Sequence, residues 1–184
     1  MRMMRLKSIA IAAALLAVPA AAQEPDFSAF DTGPVFADFG PHAAVDGAGA
    51  IAPDAEFRIA FDVADKADEG AKNRGFESAA RFINMHVAAG VPEGNIDIAV
   101  VVHGKAVLDL VTEQARETRE IEANASGAMV RAMVAQGVRF IVCGQSAQVW
   151  GVQSDDLIEG VELDLSAMTA HAQLQQRGYT VNPF

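Results

Sequence analysis

The chain has 184 residues, of which 51% are hydrophobic, 21% charged and 7% aromatic, the composition of a globular domain. Its 24 acidic residues outnumber 14 basic ones and give a net charge of −10, which argues against a general nucleic-acid binder. The single cysteine excludes an intramolecular disulfide framework and a zinc site built from several cysteines.

Residues 1–22 have the three-part pattern of a secretory signal peptide. Three basic residues within positions 2–7 precede the apolar run 9–18, which is about half as long as a membrane helix. The Ala-Ala-Ala sequence at 20–22 fits an Ala-x-Ala cleavage site. We therefore expect a periplasmic or secreted protein whose mature chain begins at Gln23 and has no membrane contact after cleavage.

Residues 23–55 are rich in Pro, Gly, Ala and Asp and show no sustained period. This composition predicts an irregular N-terminal arm, since its prolines exclude a long helix. We expect its phenylalanines to anchor it on the domain. They are Phe27, Phe30, Phe36 and Phe39.

Strands and helices alternate from residue 56 onward. Apolar residues in every second position predict a strand over 57–63, and helical spacing predicts a helix over 75–89. The runs 96–102 and 138–142 are almost continuously apolar and β-branched, which is typical of strands buried on both faces.

Shorter elements fill the remaining intervals. We expect short helices at 105–111 and 145–150 and strands at 161–165 and 179–181. Ser126 is predicted to cap a helix ending near residue 136, and Ser166 a helix ending near residue 177. The charged segment 113–122 is predicted to be a mobile, solvated surface.

The resulting order is β-α-β-α-α-β-α-β-α-β. It predicts one α/β domain over 56–184, a three-layer α/β/α sandwich around a mostly parallel sheet of about five strands.

Polar or reactive residues follow three of the predicted strands. Because sites in open α/β sheets form beyond the carboxyl ends of the strands, we expect these residues to meet in one crevice. The predicted catalytic residues are Cys143 and His103. The predicted binding residues are Gly104, Gly144, Gln145, Ser146, Ser166 and His171.

Cys143 has two interpretations. At the start of a short helix, its thiol pKa would be lowered and the nucleophilic thiolate favoured, with His103 as its base. Alternatively, Cys143 is an inert buried thiol and His103 is hydrogen-bonded to a loop carbonyl. The histidines lack close ligand spacing, so we expect no metal site. Reaction by thiolate attack needs no organic cofactor, and we expect none.

Three motifs resemble the secreted branch of the DsrE/DsrF-like family, and the resemblance spans about residues 56–184. They are 101–104 (Val-Val-His-Gly), 142–146 (Val-Cys-Gly-Gln-Ser) and 166–171 (Ser-Ala-Met-Thr-Ala-His), with the ending 175–184. The resemblance implies a flavodoxin-like fold and homotrimers or homohexamers.

In the sulfur-relay branch of that family, a cysteine carries a persulfide and opens a short helix that ends in Gly-Val. Here Gly151 and Val152 follow Cys143 at the corresponding distance. The resemblance therefore suggests a periplasmic sulfur-handling protein in which Cys143 exchanges sulfur with a small sulfur compound or a partner protein's thiol. The alternative is a non-catalytic oligomeric module that binds a small ligand or a protein, with Cys143 structural.

Overall fold

The structure is a computed structural model that describes residues 24–123 and 125–183. The predicted signal peptide, at residues 1–22, lies outside the described residues. Among the helices of the described ranges, none has the length and apolar character needed to cross a membrane.

Five parallel strands form one sheet in the order β4-β3-β2-β1-β5. The five-stranded α/β fold predicted from the sequence is therefore confirmed, and the described strands pair only in parallel. Their bounds are Phe57–Val63 (β1), Ile96–Val102 (β2), Arg139–Cys143 (β3), Glu162–Asp164 (β4) and Thr180–Asn182 (β5).

Helical crossovers connect these strands, as parallel pairing requires. The α-helices are Arg74–Ala88 (α1), Glu113–Thr118 (α2), Ser126–Ala135 (α3), Gly144–Trp150 (α4) and Ala167–Gln176 (α5). Short 3₁₀ segments lie at Glu93–Asn95, Gly104–Leu110 and Ser154–Asp156.

The two faces of the sheet bury cores of different size. On one face, large side chains such as Phe61 and Phe140 pack against α1, α3 and the arm. On the other face, Ala60, Ala99, Val101 and Ile141 of the sheet pack against Ala170 and Leu174 of α5, and Tyr179 completes this smaller core. The sandwich has three layers, as predicted, and α5 forms the thin layer.

The arm is held to α1 by Asn84, whose side chain is completely buried. Its amide nitrogen donates to the carbonyl oxygens of Phe36, Phe39 and Gly40, and its oxygen accepts from the amides of Val35 and Phe36. Phe36 and Phe39 are buried, as predicted.

The prediction that all four arm phenylalanines anchor it was wrong for two of them. Phe27 is 68% exposed and Phe30 41% exposed, and their rings pack edge-on against each other. The reason is that the hydrogen bonds from Asn84 reach only residues 35–40, so burial of the aromatic rings starts there.

The segment 113–122 begins with a helix, α2, which the sequence reasoning did not predict. Most of its charged side chains are exposed, as expected of a solvated surface. Thr112 caps this helix by accepting a hydrogen bond from the Ala115 amide. Arg116 is buried and donates to the carbonyl oxygens of Leu108 and Glu122, which fixes the segment on the domain.

Of the two predicted serine caps, one is confirmed. Ser166 Oγ accepts from the Thr169 amide at 3.0 Å and caps α5. Ser126 instead lies inside the first turn of α3, where its buried Oγ accepts from the amide of Asn73. That long-range hydrogen bond replaces the local cap, so the prediction for Ser126 was wrong.

Candidate functional site

The carboxyl edge of the sheet brings the predicted site residues together. His103 follows β2, Cys143 ends β3, and Ser166 lies between β4 and α5. Val102 pairs with Val142 in the parallel ladder, so His103 and Cys143 follow at matching positions on strands about 4.8 Å apart.

Cys143 lies at the N-cap of α4 and is only 6% exposed. Burial alone would raise the pKa of its thiol. The Ser146 hydroxyl and the amides of Ser146, Ala167 and Gln145 outweigh this by donating hydrogen bonds to the sulfur, so the pKa is lowered. The site therefore favours a thiolate, the nucleophilic form of cysteine.

Ser146 links this sulfur to the end of the neighbouring strand. The amide of Gly104 donates to Ser146 Oγ at 2.9 Å, and the Ser146 hydroxyl proton is directed to Cys143. Each hydrogen bond polarises the next, so the hydroxyl is a stronger donor than an isolated serine.

Gly144 lets the chain after β4 pack directly on the start of α4. A Cβ atom at this position would lie 2.6 Å from the Asp164 carbonyl oxygen and 3.2 Å from that of Leu165. The Gln145 side chain also donates to the Leu165 carbonyl at 3.1 Å. This close approach places the amide of Ala167, the first residue of α5, where it lowers the pKa of the Cys143 thiol.

Asp62 joins the two predicted site histidines and was missed by the sequence reasoning. Its Oδ2 lies 3.1 Å from His103 Nε2 and its Oδ1 lies 2.7 Å from His171 Nε2. Burial would raise the pKa of this carboxyl, but the hydrogen bonds from His171 and His103 prevail and lower it. Because an ionised carboxylate only accepts, both rings carry a proton on Nε2.

His103 therefore contacts Asp62, and among the described hydrogen bonds none joins it to Cys143. A signal for Asp62 was present in the sequence. The alternation over 57–63 places Asp62 on the face opposite Phe61, one residue before the end of the strand. An acidic residue so near the carboxyl end of an apolar strand belongs among the candidates.

Within residues 24–123 and 125–183, no group of three or more His, Cys, Asp or Glu side chains is arranged to hold a metal ion.

Comparison with known proteins gives a family and several structural neighbours. The model of the DsrE/DsrF-like family matches residues 58–183. MTH1491, a protein of unknown function from Methanobacterium thermoautotrophicum, has 23% identity and a TM-score of 0.50 over 70% of this chain and 100% of its own. The ychN protein from E. coli has the same identity and TM-score over 70% of this chain and 99% of its own.

At this identity, the two neighbours support the α/β fold alone. The chain matches none of the curated proteins with which it was compared.

Proposed function

Because the chain belongs to the DsrE/DsrF-like family, we propose that it handles sulfane sulfur through a persulfide on Cys143. This proposal is supported by the position of Cys143 at the N-cap of α4, where the Ser146 hydroxyl and three backbone amides lower the pKa of its thiol. A thiol that only fills space needs no such donors, whereas a thiolate and a persulfide anion both do.

The chemistry requires only sulfur exchange. The Cys143 thiolate attacks the outer sulfur of thiosulfate, a new S–S bond forms, and sulfite leaves with the electron pair of the broken S–S bond. A polysulfide reacts in the same way and becomes one sulfur atom shorter. An acceptor thiolate then attacks the terminal sulfur of the persulfide, which restores the Cys143 thiolate, so no external oxidant or reductant is consumed.

The surrounding residues have distinct roles in this proposal. The Ser146 hydroxyl and the amides of Gln145, Ser146 and Ala167 stabilise the anion on sulfur. His103 follows β2 at the position that matches Cys143 on β3, and in this proposal it assists proton transfer. Its Nε2 is hydrogen-bonded to Asp62, so Nδ1 is the nitrogen left for this role. The small exposed fraction of Cys143 favours a small donor such as thiosulfate or polysulfide.

We also propose that the chain forms a homotrimer or homohexamer. Four large apolar side chains of α4, β4, the β4–α5 connection and the start of α5 are exposed, which supports a subunit interface on this side of the molecule. They are Val149, Leu163, Leu165 and Met168. Sedimentation analysis at micromolar concentration is expected to show the oligomer, and a monomer would contradict it.

Export to the periplasm is proposed from the signal-like pattern of residues 1–22. Mass spectrometry of the protein from fractionated cells is expected to find a mature N-terminus at Gln23 in the periplasmic fraction. A cytoplasmic protein that retains Met1 would contradict the proposal.

The rate of Cys143 alkylation as a function of pH tests the thiolate directly. In the folded protein, we expect a titration midpoint well below about 8.5, the ordinary value of a cysteine. A thiol that reacts only after denaturation would identify Cys143 as a buried structural residue and favour the binding-module alternative.

A further inference from the structure

Asp62 connects three elements that surround the candidate site. It lies near the carboxyl end of β1, and it accepts hydrogen bonds from His103 after β2 and from His171 within α5. Its side chain is 36% exposed, and it is not among the donors to the Cys143 sulfur. Any influence of Asp62 on that sulfur therefore acts through other residues or through its charge.

Helix α5 provides the route from Asp62 to the sulfur. Ala167, at the start of α5, donates its amide to Cys143, and His171 follows one helical turn later. Beneath the helix, the sheet presents Ala60, Ala99, Val101 and Ile141, which pack against Ala170 and Leu174 of α5. Apolar packing is not directional, whereas the hydrogen bond from His171 to Asp62 is, so that hydrogen bond fixes where the first turn of α5 lies.

We propose that Asp62 is a positioning residue, which through His171 holds the first turn of α5 so that the Ala167 amide remains on Cys143. Asp62 thereby sets the reactivity of the thiol without touching it. This inference rests on the proposed function, since it concerns the thiolate that the persulfide chemistry uses.

The sign of one substitution separates positioning from a simple charge effect. A negative charge near a thiolate disfavours it, so Asp62→Asn would lower the pKa of Cys143 if charge alone mattered. If Asp62 positions α5, the substitution weakens a hydrogen bond to the sulfur, and the pKa rises by about one unit.

The experiment is a titration of the Cys143 thiolate by its ultraviolet absorbance in the purified full-length protein, with Cys143→Ser as the blank. Tyr179, the chain's single tyrosine, does not interfere, because burial and a hydrogen bond to Asp97 raise its pKa to about 12. The variants are Asp62→Asn, Asp62→Glu, His171→Phe and the double variant Asp62→Asn/His171→Phe.

We expect Asp62→Asn and His171→Phe each to raise the thiol pKa, and the double variant to raise it no further than the larger single effect. Asp62→Glu keeps the carboxylate and is expected to return the pKa toward the wild-type value. The control is Asp54→Asn, the same chemical change at an exposed position of the arm, ahead of the first residue of β1. It is expected to leave the pKa unchanged.

A lowered or unchanged pKa in Asp62→Asn, or fully additive effects in the double variant, would overturn the inference. Thermal unfolding of each variant identifies any that fail to fold. Asp62→Asn is expected to fold, because the side chain is partly exposed and the amide has the same shape as the carboxylate. The titration uses no sulfur donor, so it is independent of the sulfur-loading experiment. If wild type fails to load sulfur, the proposed function is contradicted, but the pKa differences among the variants still test the role of Asp62.

Discussion

Asp62 Oδ1 lies 2.7 Å from Nε2 of His171, a hydrogen bond that joins β1 to α5 across 109 positions of the sequence. The other carboxylate oxygen binds His103, so one side chain ties the first strand to both the second strand and the last helix. One carboxylate thus connects residues from both ends of the domain beside the candidate site.

The acid stability of the protein is expected to depend on Asp62. Its pKa is lowered in the folded state, so its contribution is fully present above its ordinary value of 3.8 and is lost as the pH falls through the lower folded value. Between about pH 5 and about pH 2, wild type should lose more stability than Asp62→Asn. Unfolding temperatures measured across this range test the expectation, and parallel curves for the two proteins would contradict it.

Ser146→Ala is expected to reduce the reactivity of Cys143. The variant lacks the hydroxyl that donates to the sulfur, so the thiol pKa should rise by about one unit. Alkylation rates as a function of pH measure this shift. Ser154→Ala, at an exposed serine of a 3₁₀ segment, is the control and should match wild type. Equal rates for all three proteins would show that Ser146 does not act on the sulfur.

Gly144→Ala is expected to destabilise the domain and displace the start of α5. The added Cβ would lie 2.6 Å from the Asp164 carbonyl oxygen, and a backbone atom moves aside less readily than a side chain. We expect a loss of about 1–3 kcal/mol in the free energy of unfolding. Gly94→Ala meets no atom within 4 Å and should be near neutral. Denaturant unfolding compares the two, and equal stabilities would refute the steric argument.

Asn84→Ala is expected to release the arm from α1. Its removal leaves backbone groups of residues 35–40 without their buried partner, which should cost about 3 kcal/mol. Asn95→Ala removes one hydrogen bond of 3.3 Å to Ala55 and should cost less than about 1 kcal/mol. Limited proteolysis after residue 23, together with unfolding curves, measures both effects. An arm that remains protected in Asn84→Ala would contradict this account.

Periodicity was enough to predict the sheet. The apolar run of β2 was located at its observed bounds, and β3 was displaced by one residue, because strands buried on both faces have few polar interruptions. Reasoning from neighbouring residues failed at Arg116 and Ser126. Arg116 donates to the Leu108 carbonyl, 8 positions earlier, and Ser126 accepts from the Asn73 amide, 53 positions earlier.

The location of the candidate site was also predictable, but its internal contacts were not. The rule that sites lie beyond the carboxyl ends of parallel strands placed His103 and Cys143 on one edge. His103 bonds to Asp62 because both side chains lie on the same face at the carboxyl edge of the sheet. Helix α5 crosses that face on the way from β4 to β5, which lies beyond β1. Sequence periodicity does not specify such a long-range packing arrangement.

The central claim is that Cys143 accepts sulfane sulfur, and intact-mass measurement after incubation with thiosulfate or polysulfide tests it most directly. Wild type is expected to gain one sulfur atom, roughly 32 Da, on the thiolate, and a thiol reductant should remove it. Cys143→Ser should gain nothing while unfolding at nearly the same temperature, because serine preserves the volume of the side chain. If wild type gains no sulfur under conditions that load a control thiol, the claim is contradicted.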